Sequence, residues 1–119
     1  MAYDGFGDDD VLRLRDDLPD PPVGPDTVLV RVHAAGVNPV DIGIRAGRLQ
    51  GLYPHHFPIV PGWDVAGVVE AVGPAVVTFA PGDEVFGYVR RDEVQWGTAA
   101  ELVPAPQRCL WHPGCTTVK

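Results

Sequence analysis

Fourteen glycines and thirteen prolines punctuate the 119 residues of this chain. They are scattered along its length rather than gathered in a block, so the composition does not point to disorder. Interruption at this density favours many short strands joined by tight turns. The length fits one domain and hardly two. Apolar residues make up 45%, enough for one core, though a marginal one at this size. No internal repeat and no linker divides the chain.

Periodicity places the main elements. Thr27 to Ala34 alternates cleanly: Val28, Val30 and Val32 point one way, and Leu29, Arg31 and His33 the other. That predicts a strand with one well-buried face. Val11 to Arg15 alternates more briefly and suggests a short strand. Asp16 to Asp26, rich in Asp and Pro, reads as an exposed connection. Asn38-Pro39 predicts a helix start, with Asn capping and Pro in the first turn. The helix is expected to run through Arg45 and to end at Gly47 in a left-handed conformation. Gly51 to Pro61 reads as a Pro- and aromatic-rich loop, because three prolines exclude a regular interior strand. Asp64 to Val72 is a strand whose interior Gly67 marks a bulge or a close backbone approach. Gly73-Pro74 and Pro81-Gly82-Asp83 turn the chain, the latter into a strand from Glu84 to Val89. Thr98 to Val103 is the last convincing strand.

Charge narrows the partners. The formal net charge is -7, part of it in Asp8–Asp10 and in Asp16, Asp17 and Asp20. Nucleic acid and anionic membrane surfaces both call for a basic patch, so neither is the expected partner. No apolar run is long enough to span a bilayer. The start Met1-Ala2-Tyr3-Asp4 lacks the basic-then-apolar order of a signal peptide. A cytoplasmic location is the expectation. The two cysteines, Cys109 and Cys115, make neither a disulfide framework nor a four-ligand zinc knuckle.

Four pieces then stand in a fixed order: Gly36-Val-Asn-Pro-Val-Asp41, Pro61-Gly-Trp-Asp-Val-Ala-Gly-Val-Val-Glu70, Val72-Gly73 and Gly82-Asp-Glu-Val-Phe86. Together they resemble the N-terminal, GroES-like domain of the medium-chain dehydrogenase/reductase superfamily, and within it the zinc-independent quinone oxidoreductase branch. The likeness runs from about Val11 to Gln107. It implies a mainly β fold, a partly open β-barrel with a few short helices, with the Rossmann domain absent. It also implies the substrate side of a cleft, where a following Rossmann domain binds NADP(H) or NAD(H) in the complete enzyme. The activity it implies is hydride transfer from NAD(P)H to quinones or conjugated carbonyls (enones). This chain alone is expected to be inactive and to bind no nucleotide.

The same comparison bears on metal. Zinc-dependent relatives carry Cys where this chain has Asn38, and His-Glu where it has Trp63-Asp64. A catalytic zinc takes about three Cys, His or carboxylate ligands. An amide is a poor ligand and an indole none, so no zinc is expected. The adjacent His55-His56 pair rarely converges on one ion in a loop.

Without zinc, such an enzyme needs donors for the developing enolate or phenolate oxygen and a proton source. Asn38 is the leading catalytic and cofactor-side candidate, since its amide both donates and accepts. By resemblance it faces the cleft; the plainer alternative is that it caps the helix. Asp41 either orients a neighbour in the cleft or complements the helix dipole. Tyr53 borders the substrate pocket by resemblance, as a donor or as an aromatic wall. Phe57 and Trp63 would extend that wall, which suits flat substrates. Arg45 and Arg48 read as solvated charges. No glycine cluster makes a phosphate cradle. Gly5-Phe-Gly7 runs into three aspartates, and Gly62 to Gly67 lacks the Lys and Ser/Thr of a P-loop.

Residues 1–107 therefore form the expected domain, and 108–119 a divergent tail that reads as a truncated or frameshifted end. A competing reading is a stand-alone GroES-like binding or assembly module, a homo-oligomer built through exposed strand edges.

Overall fold

The computed structural model describes residues 1–113. After a short 3₁₀ turn at Asp9–Val11 come β1 (Thr27–Ala35), α1 (Pro39–Arg45), β2 (His55–Val60), β3 (Asp64–Val72), β4 (Glu84–Tyr88), β5 (Val94–Trp96) and β6 (Leu102–Pro106). A second 3₁₀ turn, Gln107–Cys109, leads into β7 (Leu110–Trp111). Five strands form one antiparallel sheet in the order β6-β1-β3-β4-β7, while β2 and β5 pair apart from it. The larger sheet curls into a half-barrel, the mainly β fold that the resemblance implies.

The strands read from alternation are the central ones. β1 and β3 pair antiparallel over most of their length, with register shifts at Leu29/Val30 and Val32/Ala34. Gly67 sits opposite the second shift, paired with Val32 on one side and Val85 on the other. A Cβ there would strike the Arg31 carbonyl oxygen and lie 3.0 Å from both its carbon and Val30 Cγ1. The interior glycine thus marks a bulge and a close approach together. Val28, Val30, Val65, Val69, Val85, Val103 and Leu110 form the main core inside the curl. β1 buries Leu29 as well as Val28 and Val30, whereas Val32 is only half-buried. Strict one-face burial is lost because β1 lies between two partners in a curled sheet.

Three expectations change. Val11 to Arg15 is not a strand: Val11 closes the first 3₁₀ turn, and Arg13 makes only an isolated bridge with Ala2. The segment from Gly51 to Pro61 contains β2. It pairs in parallel with the three-residue β5 only at His55↔Val94 and Val60↔Trp96. Pro58 is tolerated there because the ladder is interrupted between those two pairs. The last strand of the 98–103 region begins at Leu102 and runs to Pro106. As β6 is an outer strand of its sheet, Pro104 and Pro106 need donate nothing on its open side.

Leu110 and Trp111 pair with Gly87 and Phe86 of β4, so the first half of the 108–119 segment continues the sheet. Its remainder, with Cys115, lies outside the described residues; among the described residues Cys109 forms no disulfide. Among the described residues no helix is long and apolar enough to cross a membrane.

Candidate functional site

A second, smaller core of Tyr3, Ile44, Ile59 and Val94 sits beneath α1 and β2. Val40, Tyr53 and Trp63 pack against it half-buried. Tyr53, Trp63 and the start of α1 are thereby held over one apolar floor.

The helix forms as its sequence predicts. Pro39 occupies the first turn, Val40 and Ile44 face the smaller core, and Gly47 follows at φ 84°. A capping-box pair, Asn38 and Asp41, closes its N-terminus. The Asp41 carboxylate accepts the Asn38 backbone N–H at 2.8 Å, and the Asp41 N–H donates to the Asn38 carbonyl at 3.0 Å. Asp41 is 8% exposed, so it works as a buried cap rather than as a solvated dipole partner. The Asn38 side chain reaches further: its amide Nδ2 donates to Asp64 Oδ2 at 2.7 Å, at the head of β3. Asn38, Asp41 and Asp64 form one half-buried polar group.

Trp63 meets Tyr88 edge-on, with ring centroids 5.6 Å apart. The Arg90 guanidinium lies 5.2 Å from the Tyr53 ring centroid and 5.9 Å from that of Trp63, and it donates to the Tyr53 hydroxyl. Arg90 thus bridges two of the three expected wall residues through cation–π contact. Phe57 is not with them: it is 41% exposed and packs edge-on against Phe6 and Tyr3. His55 donates from Nδ1 to the Tyr53 carbonyl at 2.7 Å, while His56 lies 3.6 Å from Glu93. The two histidines therefore point to different partners. Arg45 reaches the Gly7 carbonyl at 3.3 Å.

Sequence reading missed Arg90, Tyr3 and the partner of Asn38. Arg90 follows a strand whose Tyr88 pairs with Asp64, the neighbour of Trp63, a pairing that residue spacing does not reveal. Tyr3 carried no periodic signal, yet it is fully buried and its hydroxyl has no partner among the described residues. Its phenol is pushed up to about 12, by burial first and then by the Asp41 carboxylate. A raised acid pKa means that the folded state holds this proton where the unfolded state has lost it. Stability is therefore complete below the unfolded phenol's value near 10 and falls as pH rises towards 12. Tyr3→Phe is expected to flatten that alkaline loss in a series of thermal melts. At neutral pH it should change stability by less than about 1 kcal/mol, because the hydroxyl makes no protein hydrogen bond.

An apolar cavity of about 190 Å³ opens beside α1, lined by Tyr3, Leu12, Val37, Asp41, Ile42 and Pro61 among others. Metal chemistry finds few donors. Asn38 and Asp64 are engaged with each other, and Trp63 with Tyr88 and Arg90. No thiolate or imidazole joins them, and among the described residues no three His, Cys, Asp or Glu side chains are placed to hold a metal ion. Of Asn38, Trp63 and Asp64, only Asp64 carries an ordinary zinc-ligand side chain.

The profile of the alcohol dehydrogenase GroES-like domain matches residues 24–113. The chain belongs to this family. The GroES-like domain is 38% identical over 113 residues to an NADPH-dependent alkenal/one oxidoreductase of Arabidopsis thaliana, covering 92% of this chain and 29% of that protein. It is 47% identical over 83 residues to a quinone oxidoreductase of Sus scrofa, covering 68% of this chain and 24% of that one. The structure of a Coxiella burnetii quinone oxidoreductase superposes with a TM-score of 0.80 at 28% identity, over 98% of this chain and 37% of the other. The GroES-like domain thus spans 24% to 37% of the length of these relatives.

Proposed function

We propose that this domain forms the substrate-side wall of an NADPH-dependent oxidoreductase that reduces quinones or conjugated carbonyls. The likeness to a quinone oxidoreductase and to an alkenal/one oxidoreductase carries the reading. A similar mycobacterial structure, 31% identical, is a complex with NADPH, which supports NADP(H) use in the complete enzyme.

The residues present suit this chemistry without a metal. Tyr53 and Trp63 offer an aromatic wall whose two rings share one cation, Arg90. A planar conjugated substrate lies against such a wall, and negative charge developing on its oxygen is stabilised by fixed donors. The donors within reach of this reading are the Asn38 amide, the Tyr53 hydroxyl and the Arg90 guanidinium. NADPH, when bound by the rest of a complete enzyme, supplies the hydride. Asp41 contributes by holding the Asn38 backbone, and we assign it no proton transfer. Phe57 lies apart from this group and lines the substrate only if the substrate extends past Tyr3 and Phe6.

Titration of the purified chain with NADPH, followed by tryptophan emission, tests the division of labour. No saturable binding at micromolar nucleotide is expected, because the described residues hold no phosphate cradle. Tight binding would overturn the reading. A second reading, a non-catalytic assembly module, draws on the outer strands β6 and β7 of the larger sheet. Light scattering that finds a defined ring-like oligomer would favour it.

A further inference from the structure

We propose that Asp64 is a positioning residue for Asn38, fixing which way its amide points. The inference deepens the reading of Asn38 as a cleft residue and rests on it. An asparagine amide can turn over, exchanging its donor and acceptor ends. An ionised carboxylate only accepts. With Asp64 Oδ2 2.7 Å from the Asn38 amide, the turned-over amide would set two oxygens against each other. The carboxylate therefore selects one orientation.

Asp64 is itself held. It opens β3, where it pairs with Tyr88, and its carbonyl accepts the Gly36 N–H at 3.1 Å. Gly36 leaves the space its side chain fills: a Cβ at Gly36 would lie 2.9 Å from Asp64 Cβ and 3.0 Å from Oδ2. Meanwhile Asp41 holds the Asn38 backbone N–H. Two carboxylates thus fix Asn38, one by its main chain and the other by its side chain. One amide proton is committed to Asp64, and the charge-assisted bond polarises the amide. What remains for a ligand is one N–H and a strengthened carbonyl acceptor.

The test reads the amide directly, without catalysis. In a ¹⁵N-labelled chain, the two Asn38 Nδ2 protons are identified by their loss in Asn38→Ala. The bonded proton is expected well downfield of its twin and slow to exchange with water. Asp64→Asn keeps a weaker acceptor and should narrow the separation. Asp64→Ala should abolish it and speed exchange by about tenfold or more, the size of a charge-assisted bond. Gly36→Ala crowds Asp64 without removing its carboxylate and should also narrow it, which keeps the test open if Asp64→Ala fails to fold. An Asn38 pair unchanged in whichever variants keep a dispersed backbone spectrum would overturn the proposal. If the pair responds as expected while Asn38→Ala leaves quinone reduction by a complete enzyme carrying this domain intact, positioning stands and the cleft role of Asn38 fails.

Discussion

Gly67→Ala is expected to abolish cooperative folding, or to lower the melting temperature by about 15 °C or more. Gly67 lies in β3, paired on both sides, and the added methyl meets the main chain of Arg31 rather than a movable side chain. Relief requires β1 and β3 to separate where Val28, Val30, Val65 and Val69 bury the core. A backbone collision of this kind belongs with the exceptional substitutions that cost more than about 4 kcal/mol. Domains of this size hold only about 5–15 kcal/mol, and each kcal/mol shifts the midpoint by roughly 4 °C. Gly5→Ala is the control: a Cβ there meets nothing within 4 Å, and its melting curve should match that of the parent.

Asn38→Ala is expected to leave the domain folded while lowering quinone reduction in a complete enzyme by about 10²–10³-fold, the scale for loss of one fixed donor to a developing oxyanion. The fold survives because Asn38 is half-buried and the backbone half of its cap, the Asp41 bond, does not use its side chain. The cost to stability is about 1.5–3 kcal/mol, the scale for losing a hydrogen bond to a carboxylate, here that of Asp64. The loss should fall on kcat more than on KM, since the interaction strengthens as charge develops. A variant with full activity would remove Asn38 from the chemistry and leave Tyr53 and Arg90 as the donors to examine.

The sequence shows β1, β3 and α1 plainly, and for one reason. β1, β3 and α1 each combine a hydrophobic period with a capping or turn residue that agrees with it, as Asn38, Pro39 and Gly47 do around α1. β2 and β5 were hidden because their pairing is interrupted and parallel, joining residues far apart in the chain. Proline there argued for a loop, yet two separated pairs leave room for it. Alternation misled at Val11 to Arg15, where no neighbouring strand takes up more than one bridge.

The site was legible in part for the same reason. Asn38 and Asp41 announced themselves through a local helix-start pattern. Arg90 and Asp64 act across strand pairings, which residue spacing does not reveal. Phe57 matched the aromatic pattern of a wall but sits in β2 against Tyr3 and Phe6. Aromatic content close in sequence to Tyr53 and Trp63 was thus a weaker guide than the sheet that carries it.

The most direct test of the proposed role is a domain exchange. The GroES-like domain of the Coxiella burnetii quinone oxidoreductase is replaced by this chain, and NADPH oxidation is followed with a quinone and with an enone. A folded chimera that binds NADPH should oxidise it only when one of these acceptors is present. NADPH-binding chimeras that reduce neither acceptor, while the parent enzyme does, would contradict the account.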